Sequence, residues 1–197
     1  IRADLPSHRR GPVGDFRMIT LNDWQIAESD ALLNRAMVML SSQPNAIFIG
    51  QNVEYDGNVM YKHLHHIPLS QCLELPVCEE LQMGMSIGLA LQGFLPVSIY
   101  PRMDFLLLAM NQLVNHLDKL AFMSKGQFQP KVIIRTKVGS KWPLDAGPQH
   151  TQDHTFAVRA LLSSVVIEKI QNPGDIMQAY EEAIKRKVST LIVEALD

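Results

Sequence analysis

The sequence has few cysteines, little excess charge and no long uninterrupted apolar run. Cys72 and Cys78 are its two cysteines, and a chain of 197 residues with 47% hydrophobic content can bury a core without disulfides. The formal net charge of -2 gives no indication of a basic face that would bind the phosphates of nucleic acid. The most apolar stretch, residues 83–100, is interrupted by Gly93 and Pro96, whereas crossing a bilayer takes roughly 20 consecutive apolar residues. We therefore predict a cytoplasmic protein that binds neither nucleic acid nor membranes.

The amino-terminal segment differs in composition from the rest of the chain. Residues 1–17 contain arginines, prolines and glycines without a hydrophobic run, so they match neither a secretory signal nor a core element. We predict that they form a flexible arm. Residues 18–197 are enough for one core but hardly for two, because independent domains usually need about 100 to 150 residues. We therefore predict one domain over residues 18–197.

Short apolar runs alternate with helical patterns along the chain. Strands are predicted at residues 46–50, 75–78, 94–100, 132–136, 164–170 and 190–195. Helices are predicted at residues 20–41, 80–92, 105–123 and 174–187. Such alternation predicts an α/β fold with an open, mostly parallel twisted sheet and helices on both faces. Ligands bind at the carboxyl ends of the strands in such a sheet, so the loops after Gly50, Cys78, Tyr100 and Thr136 should share one rim.

One acidic residue, Glu79, follows directly on the predicted strand at residues 75–78. A carboxylate at the end of a buried strand is partly desolvated, and it can hold or share a proton near neutral pH. The alternative interpretation is an ordinary acid at a helix start, favoured by the helix dipole. Local sequence alone favours this second interpretation.

Two groups of histidines raise the question of a metal site. His63, His65 and His66 form one cluster, and His150 and His154 are four residues apart. Neither group has the Glu or Cys companions that known metal signatures contain. We therefore predict no metal site in this chain.

Several motifs occur in an order typical of one family. The proline of Pro76-Val77-Cys78-Glu79 lies three residues before a Glu, and glycines follow at 84, 88 and 93. The later motifs are Phe122-Met123-Ser124-Lys125-Gly126-Gln127, Ile134-Arg135 and Gly147-Pro148-Gln149-His150-Thr151-Gln152. Over roughly residues 46–197, this sequence resembles the beta subunits of thiamine diphosphate-dependent 2-oxo acid dehydrogenases. The resemblance implies the pyrimidine-binding domain of the transketolase-like fold.

The resemblance also implies roles for individual residues. Glu79 matches the Glu that hydrogen-bonds the aminopyrimidine ring of thiamine diphosphate and so activates the cofactor, whereas Glu80 should be structural. Phe105 matches the aromatic residue that packs on that ring, and Val77 should add an apolar contact unless it is simply buried in the core. His150 matches a loop histidine that lies near the reacting carbon and can shuttle protons or stabilise a carboxylate. The implied catalytic residues are therefore Glu79 and His150, and the implied cofactor-binding residues are Val77, Glu79 and Phe105.

The family holds the cofactor's diphosphate through Mg²⁺ on a Gly-Asp-Gly motif of another domain. Here neither Gly14-Asp15 nor Gly174-Asp175 is followed by glycine. We therefore expect thiamine diphosphate to be shared with a diphosphate-binding alpha-type subunit that carries Mg²⁺, in a heterodimer or heterotetramer. The implied reaction is decarboxylation of a 2-oxo acid and transfer of the acyl unit. The alternatives are a split transketolase-like or 2-oxo acid decarboxylase or synthase subunit, a non-catalytic partner that keeps the fold, and a flavodoxin-like binding module.

Two segments depart from the family pattern. The family commonly has acidic residues after the first strand, where this chain has Gly50-Gln51-Asn52. The loop between Arg135 and His150 is about two residues longer, with Lys141, Trp142 and Asp145 in the insertion. Separately, Gly84 and Gly88 lie on one face of the predicted helix, and mid-helix glycines cost about 1 kcal/mol each, which predicts a close subunit contact on that face.

Overall fold

A computed structural model describes residues 23–57, 59–140 and 145–196 of the chain. The predicted arm at residues 1–17 lies outside the described residues, as do Lys141 and Trp142 of the inserted loop. Within the described ranges, no helix is both long and apolar enough to cross a membrane.

A six-stranded sheet in which all strands run parallel forms the centre of the fold. The strands are β1 (Ala46–Gly50), β2 (Cys72–Glu74), β3 (Leu95–Tyr100), β4 (Ile133–Lys137), β5 (Val166–Ile170) and β6 (Thr190–Glu194). Their order across the sheet is β2-β1-β3-β4-β6-β5. The predicted α/β class with an open parallel sheet is confirmed.

Helices cover both faces of this sheet, as predicted. They are α1 (Asp23–Ser41), α2 (Glu79–Leu91), α3 (Met103–Leu106), α4 (Leu120–Met123), α5 (Thr155–Leu161) and α6 (Ile176–Lys185). One apolar cluster joins α1 and α6 to one face of the sheet. The second cluster joins α2, α3 and the segment after α3 to the opposite face. The two clusters leave the carboxyl ends of β1, β3 and β4 at one edge, where the loops lie.

Two predicted elements differ from the structure, and one helix has no predicted counterpart. The second strand is Cys72–Glu74 rather than residues 75–78, because Pro76 lacks the N–H that a parallel ladder needs and the chain leaves the sheet after Leu75. The helix predicted at residues 105–123 begins at Met103 and is irregular, with a 3₁₀ turn at Leu107–Ala109 and a π-helical segment at Asn111–Leu117. Helix α5 was not predicted at all, since its seven residues carry little apolar periodicity.

The glycine face of α2 is open among the described residues. A Cβ at Gly88 would have no described atom within 4 Å, and a Cβ at Gly84 would only reach ordinary contact with Gln112 at 3.7 Å. Within the described ranges, neither glycine is therefore required by a close contact. A subunit contact on this face stays a prediction.

Candidate active site

The start of α2 places Glu79 at the rim of the sheet. Glu79 is the first residue of α2. The prediction that it directly follows a strand is wrong, because β2 ends at Glu74 and a short loop separates it from the helix. The Tyr100 hydroxyl, at the carboxyl end of β3, donates to the Glu79 backbone carbonyl over 3.2 Å. Burial raises the pKa of Tyr100, and the nearby charge of Glu79 adds to this effect. The Glu79 side chain is half-buried, and within the described ranges its carboxylate makes no hydrogen bond.

The neighbouring acid, Glu80, is held differently. Its carboxylate accepts hydrogen bonds from Asn111 over 2.9 Å and from Gln112 over 3.5 Å. These contacts tie the start of α2 to the π-helical segment. Among the described residues, the two adjacent acids therefore differ, because the Glu80 carboxylate accepts hydrogen bonds and the Glu79 carboxylate accepts none.

A buried amide, three residues after Glu79 in α2, bridges the carboxyl ends of β1 and β3. The Gln82 side-chain nitrogen lies 2.9 Å from the Ile99 carbonyl oxygen, 3.1 Å from the Ser98 hydroxyl and 3.3 Å from the Ile49 carbonyl oxygen. The chain connections diverge between β1 and β3, which is where open parallel sheets form their ligand crevices. Sequence reasoning missed Gln82, although two polar residues four apart, Gln82 and Ser86, lie among the buried residues of this helix.

Two aromatic side chains that are far apart in sequence meet at this rim. The Phe105 and His150 rings pack edge to face, with centroids 5.5 Å apart and an interplanar angle of 86°. Both residues are half-buried. The His150 Nδ1 atom is buried and has no hydrogen-bond partner in the described part of the chain. The contact depends on Gly139, where a Cβ would lie 1.8 Å from the His150 carbonyl oxygen.

Val77 lies in the loop before α2 with 66% of its surface exposed. The interpretation of Val77 as a core residue is therefore wrong. An exposed apolar side chain two residues before Glu79 remains available for a contact with a ligand or another chain. Its predicted cofactor contact stays a prediction.

The loop after β1, where the sequence departs from the family, is fixed by a carboxylate from β2. The Glu74 carboxylate accepts hydrogen bonds from the backbone amides of Asn52 over 2.7 Å and Val53 over 2.8 Å. Asn52 adopts a left-handed conformation with φ of 55°, which asparagine tolerates better than most residues. The acid at this part of the rim is therefore Glu74, and it is engaged in holding the loop.

The cluster of His63, His65 and His66 separates in the structure. His63 is buried, while His65 and His66 are exposed and their rings lie 3.7 Å apart. The His63 ring bridges Asp30, at 3.0 Å, and the Arg135 guanidinium, at 2.9 Å. Among the described residues, no group of three or more His, Cys, Asp or Glu side chains could hold a metal ion.

His63 belongs to a buried chain of ion pairs and hydrogen bonds that the sequence reasoning also missed. Arg135 is completely buried, and its Nε donates to the Glu194 carboxylate over 2.6 Å. The Tyr180 hydroxyl donates to the same carboxylate over 2.7 Å. We call this set the Arg135 network, and its members are Asp30, His63, Arg135, Tyr180 and Glu194.

The charges of the Arg135 network determine the protonation of His63. Burial disfavours the charged ring, and the positive charge of Arg135 adds to this, so the pKa of His63 falls to about 4. Burial also opposes ionisation of Glu194, but the charge and hydrogen bonds of Arg135 outweigh it and lower the pKa of Glu194. His63 is therefore neutral at physiological pH beside a buried Arg–Glu pair.

The order of the six parallel strands and the helices on both faces define a class of protein with the transketolase-like fold. The split-gene transketolase described as an inactive beta4 tetramer matches 84% of this chain and 50% of its own, with a TM-score of 0.65 at 13% identity. Transketolase from Campylobacter jejuni matches 86% of this chain and 25% of its own, with a TM-score of 0.59 at 13% identity. No protein-family model matches the chain.

Within this fold class, the chain is a distant homologue of the pyruvate dehydrogenase E1 beta subunits. It is 33% identical to the subunit of Gracilaria tenuistipitata over 126 residues, which make up 62% of this chain and 38% of that protein. It is 39% identical to the chloroplastic beta-4 subunit of Oryza sativa over 127 residues, 62% of this chain and 31% of the relative. The chain thus spans less than two fifths of the length of these relatives.

Proposed function

We propose that this chain is the pyrimidine-binding half of a thiamine diphosphate enzyme that decarboxylates a 2-oxo acid and transfers the acyl unit. The observation that carries this proposal is the rim site, formed by Glu79, Phe105 and His150. The Glu79 carboxylate lies at a helix start without a hydrogen bond to any described residue, and the Phe105–His150 ring pair lies at the same edge of the sheet. The homology to pyruvate dehydrogenase E1 beta subunits supports it.

The residues at the rim fit an aminopyrimidine ring. Glu79 is half-buried, and within the described ranges its carboxyl group has no hydrogen bond that would prevent it from sharing a proton with a ring nitrogen. Phe105 offers an apolar surface for a flat ring, and Val77 is exposed beside the start of α2. His150 has a buried nitrogen without a partner among the described residues, which suits a group that exchanges a proton with a ligand.

The chain's own residues have three tasks in this proposal. Glu79 holds a proton shared with the ring nitrogen, which activates the cofactor. Phe105 excludes water from Glu79 and keeps the dielectric constant around it low. His150 moves a proton beside the reacting centre. When bound, thiamine diphosphate supplies the carbon nucleophile for the 2-oxo group.

A second chain completes the site in this proposal. The 197 residues contain no Gly-Asp-Gly motif to hold a diphosphate through Mg²⁺. An alpha-type subunit should therefore supply the motif and the metal ion, giving a heterodimer or heterotetramer. Residues 18–197 serve in it as one pyrimidine-binding domain. The relatives are themselves named as the beta subunits of an E1 component.

The test uses the chain reconstituted with Mg²⁺ and a candidate partner encoded nearby that carries Gly-Asp-Gly and a later Asn. We expect Glu79→Gln to slow exchange of the cofactor's thiazolium proton with deuterated solvent by about 10²- to 10⁴-fold, because a neutral amide cannot cycle a proton. NMR measures the exchange. Cofactor affinity should change little, since glutamine has nearly the same volume and still hydrogen-bonds.

Glu80→Gln is the matched control, because Glu80 is engaged by Asn111 and Gln112 and should leave the exchange rate unchanged. Equal exchange in wild type and Glu79→Gln would sink the assignment and favour a non-catalytic partner that retains the fold. Normal exchange together with turnover of a ketose donor, but not of a 2-oxo acid, would favour the split transketolase-like alternative.

A further inference from the structure

The loop that carries His150 is shaped by its own short turn. We call residues 145–154 the His150 loop. The Gly147 amide donates to the Asp145 carboxylate over 2.8 Å, and the His150 amide donates to the Gly147 carbonyl over 3.0 Å. The Thr151 hydroxyl donates to the same carbonyl over 3.1 Å. These bonds are local, so they shape the turn without fixing where it lies relative to α3.

One side chain of α3 reaches the far end of this loop. Asp104 directly precedes Phe105, and its side chain is only 7% exposed. Its Oδ2 accepts from the Gln152 amide over 3.4 Å, and its Oδ1 lies 3.5 Å from His154 Nε2. Both Asp104 Oδ1 and His154 Nε2 are buried without a hydrogen-bond partner within the described ranges.

A buried carboxylate with a single long hydrogen bond is unfavourable unless another donor approaches it. His154 is the donor placed to do so, because its ring nitrogen faces Asp104 just beyond hydrogen-bond distance. A shift of less than 1 Å between α3 and the His150 loop would close this gap, and such contacts often tighten when a ligand binds. The pair therefore spans α3 and the loop at the point where Phe105 meets His150.

We propose that Asp104 and His154 form a clasp that docks the His150 loop on α3 and positions His150 against Phe105. Asp104 is thus a positioning residue that acts through His150. The inference rests on the proposed function for the task of His150, but the docking itself is a property of this chain alone. It identifies two residues beyond Glu79, Phe105 and His150 on which the site depends.

The first test uses the full chain without partner or cofactor. We expect Asp104→Asn to shift the His150 and His154 ring signals in NMR spectra, and to speed hydrogen exchange of the Gln152 amide on the order of tenfold. His154→Gln should shift the His150 signals in the same way from the other side of the clasp. The double variant should add little to either single change, because both remove one interaction.

Asp153→Asn is the matched control. Asp153 belongs to the same loop, but its carboxylate pairs with Lys169 over 2.6 Å and accepts from the Thr155 amide over 2.9 Å. Its loss should disturb the start of α5 and leave the His150 signals unchanged. Unchanged His150 signals and Gln152 exchange in Asp104→Asn would overturn the clasp.

The second test uses the complex reconstituted with partner, Mg²⁺ and thiamine diphosphate. We expect Asp104→Asn to lower kcat on the order of tenfold with KM for the substrate nearly unchanged, and to have no further effect in a His150→Asn background. Independent, multiplying effects of the two substitutions would contradict positioning through His150. If the complex binds no thiamine diphosphate, the proposed function fails, and the NMR test of the clasp still decides this inference.

Discussion

Two groups of buried polar side chains lie on opposite faces of the sheet and differ in how they are paired. The Arg135 network, on the face covered by α1 and α6, links each of its five side chains to another, and only Arg135 Nη1 lacks a partner among the described residues. At the rim near α2 and α3, buried atoms of Asp104, His150 and His154 have no hydrogen bond in the described ranges.

This difference distinguishes buried polar groups that stabilise the fold from those that are available to bind a ligand. Buried polar groups in folded proteins are normally paired, because an unpaired one costs about 1 to 3 kcal/mol. Apart from Arg135 Nη1, the Arg135 network satisfies that rule, so its charges stabilise one arrangement of α1, β4, β6 and α6. The rim site leaves several groups unpaired, which is expected where a protein keeps atoms available for a ligand.

The largest expected effect comes from breaking the Arg135 network. We expect Arg135→Met to lower the free energy of unfolding by about 3 to 5 kcal/mol, because Glu194 would remain charged and buried without its partner. Urea denaturation followed by circular dichroism measures the loss. Changing both partners, Arg135→Met with Glu194→Leu, should recover a large part of it.

The half-exposed pair of Arg186 and Glu168, with a separation of 2.5 Å, provides the control. Arg186→Met should cost no more than about 1 kcal/mol, since solvent screens such pairs. If Arg135→Met and Arg186→Met lower the free energy of unfolding by the same amount, the Arg135 network does not stabilise the fold more than an exposed ion pair does.

A somewhat smaller effect is expected from pH through His63. Its pKa in the folded chain, about 4, lies below the ordinary value of 6.5, so the unfolded chain binds the proton more readily. Stability should therefore be complete above pH 6.5 and should fall as the pH drops from 6.5 to about 4, by up to about 3 kcal/mol. Urea midpoints measured across this window test the expectation.

His63→Asn should flatten the pH dependence between pH 6.5 and 4, whereas the same change at the exposed His65 should leave it intact. Asp30 and Glu194, whose pKa values are lowered, contribute losses at still lower pH. A slope that persists in His63→Asn would mean that another group titrates in this window.

The smallest effect on stability is expected at the rim site. Glu79→Gln should change the free energy of unfolding by no more than about 0.5 kcal/mol, because its carboxylate has no hydrogen-bond partner to lose within the described residues. His150→Asn should lower the free energy of unfolding by no more than about 1.5 kcal/mol, because it removes the edge-to-face contact with Phe105. Thermal unfolding of the isolated chain measures this. If either variant lowers the free energy of unfolding by more than about 2 kcal/mol, that residue stabilises the fold instead, as the members of the Arg135 network do.

Much of the fold could be predicted because it depends on local pattern. The apolar runs at residues 46–50, 132–136 and 190–195 are buried central strands, and the structure has strands within a residue of each. The predicted strand before Glu79 was misplaced because Cys72–Glu74 is a short edge strand with half-buried residues, and its sequence lacks a continuous apolar run. The irregular segment after α3 was missed because a π-helix has no distinct composition.

The sequence by itself determined the alternation of strands and helices. The order of the motifs also pointed to Glu79, Phe105 and His150, because each motif consists of residues that are close together in the sequence. Only the tertiary structure decided which distant groups meet. His63 joins Arg135, and Asp104 faces His154, across loops whose closure no local pattern encodes. The physical reason is that pairing of buried polar groups depends on packing between elements, so Glu79 and Glu80, adjacent in sequence, have different surroundings.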